Sequence, residues 1–336
     1  MIDMSIISSI EDNMLNNYSI GNYYNRIINY KKANKNLNKI YKYQCLIPEK
    51  KNNNIIHYSI NKHQLILIKK IGRKSRYGII YLTINNNNNF KFAIKLTPSD
   101  FYNDNEIKIS EFLSNIALKD INPHFLLIYK SLICNNKNNE LYTYLPKLIR
   151  TPTYNISINE LVSGTLKDLL LSKIANHDLL LNAIQQILIS ILSFHHFTNG
   201  MYHNDCHYKN FLFQRINPGG YFHYKIFDQD IYIKNYGFIW MIWDFGLVKA
   251  EPQNKNKRLE DYMKITAILY NELDFFKYYN LRSLLMHILK YINNYIEIFG
   301  NSDKNFFEEL FKINGLYDMV IPKGTTIINN KTYIIK

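Results

Sequence analysis

His203-Asn204-Asp205-Cys206-His207-Tyr208-Lys209-Asn210 and, after residues 211–242, Trp243-Asp244-Phe245-Gly246 decide how this chain is read. The two stretches supply two carboxylates and an amide in a fixed order. Asp205 has the chemistry to take a proton from an attacking hydroxyl. Asn210 and Asp244 carry hard oxygens of the kind Mg²⁺ prefers when it is shared with substrate phosphates. A base followed by two metal ligands is the arrangement that phosphoryl transfer needs. Asp205 and Asn210 could instead do no more than hydrogen-bond a turn, but Asp244-Phe245-Gly246 downstream argues for the chemical reading.

Upstream residues extend the pattern. Phe92-Ala93-Ile94-Lys95 reads as a strand ending on a cation, with Gly78 ahead of it. Asn105-Glu106-Ile107-Lys108-Ile109 opens an apolar helix that carries Glu106 and, further on, Glu111. Ile71-Gly72-Arg73-Lys74-Ser75-Arg76-Tyr77-Gly78 keeps two glycines of a phosphate-cradling loop, where a missing Cβ lets backbone N–H groups come close.

Together these motifs resemble the eukaryotic-type protein-kinase superfamily over roughly residues 65–275. The segment Gly219-Gly220-Tyr221-Phe222-His223-Tyr224 and Trp243-Asp244-Phe245-Gly246 is similar to kinase-like proteins of large DNA viruses. The resemblance implies an α+β, two-lobed protein-kinase-like fold with a small antiparallel β lobe and a larger helical lobe. It implies ATP and Mg²⁺ as cofactors and a Ser/Thr hydroxyl on a protein as acceptor. Asp205 takes the place of the catalytic-loop aspartate, with His207 and Asn210 in the same loop; Asn210 and Asp244 take the metal positions. Gly72, Gly78, Lys95 and Glu106 take the nucleotide-phosphate positions, and the resemblance implies that Lys95 pairs with a glutamate of the next helix, Glu106 being the first candidate and Glu111 the second. Glu160, followed by Leu161 and Val162, resembles the connection between lobes whose backbone bonds adenine, and Asp261 resembles the buried aspartate that braces the catalytic loop. The side chains at 95, 205, 210 and 244 are expected to converge on one triphosphate.

Departures from the family pattern shape the expectation. Asn204 replaces the usual arginine before the catalytic aspartate, removing a cation that reads an activation-loop phosphate. Only residues 247–260 separate Asp244-Phe245-Gly246 from Asp261, and no Ala-Pro-Glu follows, so the part that docks a peptide is shortened. His207 stands where protein kinases have lysine and resembles the small-molecule kinases for aminoglycosides and choline; it would be a weaker, switchable cation. A small-molecule phosphotransferase is therefore the alternative. A nucleotide-binding pseudokinase is a third reading, motivated by the altered glycine loop. Zinc at His203, Cys206, His207 and His223 lacks the spacing of a closed site.

Composition sets the outer bounds. The 336 residues are 47% hydrophobic and include 28 Tyr and 19 Phe, enough for a substantial core despite the many Asn and Lys. The net charge of +14 favours anionic partners without choosing among them, and nucleic acid is not expected as the main one. Cys45, Cys134 and Cys206 are an odd count without metal spacing, which predicts no disulfide framework and an intracellular, reducing compartment: host cytoplasm, or virion for a viral protein. Asp3, Glu11 and Asp12 argue against a secretory leader, and Asn182, Gln185 and Gln186 interrupt the most apolar run, so no transmembrane helix and no membrane partner are expected.

The expected organisation is a basic Asn/Lys-rich extension at 1–60, an N-lobe at 61–160 and a C-lobe at 161–336 with a hairpin insert at about 215–240. The extension holds one helix over 23–42 and a linker at 49–54. Strands are predicted at 65–68, 79–82, 90–96, 125–128 and 154–161, the first three as an antiparallel set. Helices are predicted at 104–118, 166–174, 179–197 and from 259 to 311. The insert should turn at Asp228-Gln229-Asp230, and residues 325–335 should close as a hairpin across Asn329-Asn330.

Overall fold

The computed structural model describes residues 20–51, 54–72, 78–135, 142–250, 256–298 and 303–336. It is an α+β protein that divides into two compact units. Described residues of the first lie in Tyr24–Ser114 and Leu126–Val162; those of the second lie in 20–23, Asn115–Phe125 and Ser163–Lys336.

The first unit begins with helix α1 (Asn25–Leu37) and then builds strands β1 (Ile47–Lys51), β2 (Asn54–Ile60), β3 (Leu65–Ile71), β4 (Ile79–Asn85) and β5 (Lys91–Pro98). Helix α2 (Phe101–Leu118) and strands β6 (Ile128–Asn135) and β7 (Thr153–Glu160) follow. The strands form one antiparallel sheet in the order β1-β2-β3-β4-β5-β7-β6. Alternation along β3 and β5 sends Leu65, Leu67, Phe92, Ile94 and Leu96 into a core that also takes Ala33 and Leu37 of α1.

Several expectations change here. Of the predicted linker at 49–54, residues 49–51 belong to β1 and residue 54 to β2, with 52–53 outside the described residues; the sheet has seven strands where five were predicted, three of them as an antiparallel set. Pro48 and Lys51 made β1 look like loop, yet it is the sheet's terminal strand, where proline and charge are tolerated because one side needs no partner. The strand predicted at 125–128 begins at Ile128 instead. Residues 85–89 do separate two strands: Asn85 N–H donates to Phe90 O at 2.8 Å, and Asn89 takes φ 55°, which asparagine tolerates.

The cysteine reading is corrected as well, because Cys45 and Cys134 form a disulfide. Three cysteines do not preclude one pair, and a separation of 89 residues is no spacing motif; only the fold brings them together. The bridge fixes a strap, since Gln44 N donates to Ile133 O at 3.1 Å and Ile133 N to Lys42 O at 2.9 Å. Cys45→Ser, or treatment with dithiothreitol, is expected to lower the unfolding free energy of this unit by about 2–4 kcal/mol through the freed loop entropy. Denaturant unfolding with and without reductant measures this; superimposable curves would contradict it.

In the second unit, strand β8 (Gly164–Thr165) leads into helix α3 (Leu166–Leu170), where Thr165 and Asp168 form a reciprocal capping box. This helix stops short of the predicted 174, and Ser172 Oγ donates back to Leu169 O at 2.7 Å. Helix α4 (His177–Phe197) is long and apolar enough to cross a bilayer by length and composition, but 83% of that stretch is buried inside the protein. Its polar residues do the joining: Asn182 donates to Lys234 O at 2.8 Å, Gln186 to Phe238 O at 3.1 Å and Gln185 to Leu316 O at 2.5 Å.

Strands β9 (Phe211–Arg215) and β12 (Phe238–Ile242) pair antiparallel, with β8 on the other side of β9. Between them in sequence runs the hairpin β10 (Tyr221–Ile226) and β11 (Gln229–Lys234). Its loop is Phe227-Asp228, both at positive φ, one residue earlier than predicted; a two-residue loop of this kind matches the strand twist. The predicted tail hairpin is absent from the described residues. Asn329 instead accepts from His223 N and donates to His223 O, both at 2.9 Å, and β13 (Tyr333–Ile335) pairs parallel to β10. The open edge of β10 outcompetes a turn that would pair the tail with itself. Helices α5 (Asn256–Glu272), α6 (Tyr279–Ile298) and α7 (Asp303–Lys312) complete the unit.

Candidate functional site

The residues singled out by sequence fall into two groups, one in each unit. In the first unit, β4 and β5 pair in register, and the backbone of Gly78 lies against the Lys95 side chain: a Cβ added at Gly78 would meet Lys95 Cε at 3.0 Å. Lys95 is 6% exposed and its Nζ donates to Glu106 Oε1 of α2 at 2.5 Å. Glu111 is exposed, so the partner is Glu106. A buried ion pair holds the lysine in one place, because either charge alone would be costly there.

Gly72 sits at φ 75° at the end of β3, and no atom of the described residues lies within 4 Å of where a Cβ would stand. Residues 73–77 lie outside the described residues, and with them the middle of the predicted phosphate loop. Glu160 ends β7, is 5% exposed and is fully engaged in ways described below; Val162 is half-buried.

The second group is a loop and a strand end stitched together. Asn210 N donates to His207 O at 2.8 Å, and Asn210 Nδ2 donates to Asp205 O at 3.0 Å and Asp205 Oδ2 at 3.2 Å. That orientation commits the amide nitrogen of Asn210 inward and turns its oxygen to the other side. Trp243 N donates to Asn210 O at 3.0 Å, which brings the neighbouring Asp244 to the same turn. The buried His203 donates from Nε2 to Trp243 O at 2.9 Å; burial pushes its imidazole below the usual range, so it serves as a neutral tie. Asn204 and Asp244 both hold positive φ, at 63° and 69°. Such backbone costs energy in non-glycine residues and persists where the surroundings fix it.

Asp261 supplies much of that fixing. Its Oδ2 accepts from His203 N at 2.6 Å and its Oδ1 from Asn204 N at 2.9 Å. Behind it lies the fully buried His195, with Nε2 3.0 Å from Asp261 Oδ2 and Nδ1 3.0 Å from Asp303 Oδ1. Burial alone would lower the His195 pKa, but Asp303 and Asp261 outweigh it and raise it to about 9. Burial likewise opposes ionisation of Asp261 and Asp303, and the imidazolium reverses this, holding both carboxyls below the usual range. Arg258 completes the network, 2.7 Å from Asp303 Oδ2.

Sequence reasoning missed Lys264. Its Nζ donates to Asn204 O at 3.1 Å and lies 3.6 Å from Asp205 Oδ1, while His207 Nε2 lies 3.5 Å from Asp205 Oδ2. The carboxylate of Asp205 is thus flanked by one fixed cation and one imidazole. A signal was present: Lys264 is three residues past Asp261 on a helix, hence on the same face.

No family model matches the chain. The chain is similar to a viral kinase-named protein. Over 148 residues it is 28% identical to the protein of Frog virus 3 (isolate Goorha) named "Putative serine/threonine-protein kinase 019R". The match covers 43% of this chain and 16% of that protein's own length, so the likeness is partial and kinase-like in kind.

Proposed function

We propose that this protein has the two-lobed kinase fold and transfers the γ-phosphoryl group of ATP, with Mg²⁺, to a Ser/Thr hydroxyl of a protein. The observation that carries the reading is the turn in which Asn210 binds Asp205 through its amide nitrogen while its backbone receives Trp243, beside Asp244. Asn210 and Asp244 carry an amide and a carboxylate oxygen, hard donors of the kind that suits Mg²⁺. Asn210 and Asp244 would hold the ion, which when bound neutralises phosphate charge. Asp205 orients the acceptor hydroxyl and receives its proton. Lys264 places positive charge, and His207 a ring nitrogen able to donate a hydrogen bond, where the transferring group becomes most negative. Lys95, held by Glu106, serves the α- and β-phosphates.

The similarity to the Frog virus 3 protein supports the same class of activity. A small-molecule hydroxyl is the second reading for the acceptor. The contact of His207 with Asp205, in place of a lysine, favours it. Incubation with γ-labelled ATP and Mg²⁺ against a protein panel and a panel of small alcohols tests both. Label on protein Ser/Thr is the expected result; label only on alcohols moves the assignment to the second reading, and label on neither contradicts turnover.

A further inference from the structure

Helix α1 lies outside the stretch that resembles kinases, yet one of its side chains reaches the segment to which that resemblance gives adenine. Arg26 is 4% exposed and Glu160 5%. Arg26 Nε donates to Glu160 Oε2 at 3.0 Å and Nη2 to Oε1 at 2.5 Å, a two-pronged pairing with geometric as well as electrostatic specificity. The same Oε1 accepts from Leu127 N at 2.7 Å, while Glu160 N donates to Leu127 O at 2.9 Å. Glu160 is therefore held by side chain and backbone at once, at the end of a strand paired with β5 through Phe92.

The helix that presents Arg26 is itself fixed. Ala33 and Leu37 are 1% and 0% exposed in the sheet core, Lys130 Nζ donates to Leu37 O at 2.9 Å, and Leu46 N donates to Tyr154 Oη at 2.7 Å just past the Cys45–Cys134 bridge. Both charges of the pair are out of water, so each needs the other. A surface brace of one helix to a sheet would need no such pair; burying one against the last residue of β7 fixes the direction in which the chain leaves the strand.

We infer that Arg26 is a positioning residue of the nucleotide site, setting the backbone of residues 160–162 in the register that reads an adenine edge. This rests on the kinase reading above. Main-chain recognition depends on where a carbonyl and an N–H stand, and small displacements weaken such bonds steeply. The N-terminal helix thereby becomes part of the nucleotide-binding apparatus and contributes to selection of the base.

The test compares ATP with inorganic tripolyphosphate, both with Mg²⁺, by isothermal titration on the full chain. Removing Arg26 alone would strand a buried carboxylate, so the principal variant is the double substitution Arg26→Met with Glu160→Gln. It leaves no lone charge and keeps an acceptor for Leu127 N–H. ATP affinity is expected to fall about tenfold while tripolyphosphate affinity is unchanged. Arg26→Lys keeps the charge without the fork, and is expected to shift the same ratio in the same direction even if the double variant folds poorly. Unchanged ATP affinity in the folded variants, or equal losses for ATP and tripolyphosphate, would overturn the inference and leave the kinase reading standing. A parent protein that binds no ATP would remove both.

Discussion

Asp205→Asn is expected to bind Mg²⁺–ATP as the parent does and to transfer phosphate about 10²- to 10⁴-fold more slowly, the usual contribution of a positioned general base. The substitution keeps the size of the side chain and an oxygen able to accept from Asn210 Nδ2, which donates to Asp205 at 3.2 Å. It removes the basic oxygen that would receive the acceptor's proton. Asn210 retains its second bond, to the backbone oxygen of residue 205 at 3.0 Å, so the turn should persist. Single-turnover assays on purified parent and variant read the effect directly. Equal rates would show that Asp205 is not the base.

The buried network behind the loop yields the second large effect, on stability. His195 has a folded pKa of about 9, above the ordinary 6.5, so its contribution is complete below pH 6.5 and is lost as pH rises through 9. Asp261 and Asp303 are shifted the other way; their contribution is present above the ordinary 3.8 and is lost as pH falls through their folded values. Stability should therefore be highest between roughly pH 4 and 6.5 and drop by roughly 3 kcal/mol toward pH 10. Asp261, Asp303 and Tyr262 face His195, with Arg258 paired to Asp303, and the two carboxylates dominate. His195→Gln should lower the stability at pH 6 and flatten its alkaline decline. Thermal denaturation across this range measures it; a parent whose melting point rises from pH 6.5 to 9 would refute the imidazolium assignment.

The parts of this account that were legible in sequence are those carried by short contiguous motifs. Asp205, Asn210 and Asp244 were singled out by their spacing along a loop and a strand end, and the structure joins Asn210 to Asp205 and to Trp243, the residue before Asp244. Lys95 and Glu106 are eleven residues apart and were paired through their resemblance to the kinase strand lysine and the glutamate of the helix after it. What was hidden depends on long-range contact. Arg26 and Glu160 are 134 residues apart, and an arginine in an Asn/Lys-rich segment looks like any solvated cation. The disulfide was hidden for the same reason. Strand β1 was hidden by its own composition, since proline and lysine suit a sheet edge and a loop equally well. The tail went astray because Asn329-Asn330 has turn chemistry, whereas Asn329 spends its side chain on His223.

The positive φ of Asn204 and Asp244 is held by hydrogen bonds from buried groups. Neither residue announces that conformation, but both lie where Asp261 and His203 hold the backbone by several hydrogen bonds. The loop is shaped by groups buried beneath it, and one of them, Asp261, belongs to the His195 network whose titration is expected to set the pH dependence of stability.

The central claim is that Asp244 and Asn210 hold a magnesium-bound nucleotide. Titration of ATP into the protein with Mg²⁺, with EDTA, and into Asp244→Ala with Mg²⁺ tests it without reference to any acceptor. Saturable binding by the parent that collapses with EDTA and in Asp244→Ala is the predicted result. Binding of equal strength in all three titrations, or none by the parent with Mg²⁺, would contradict it.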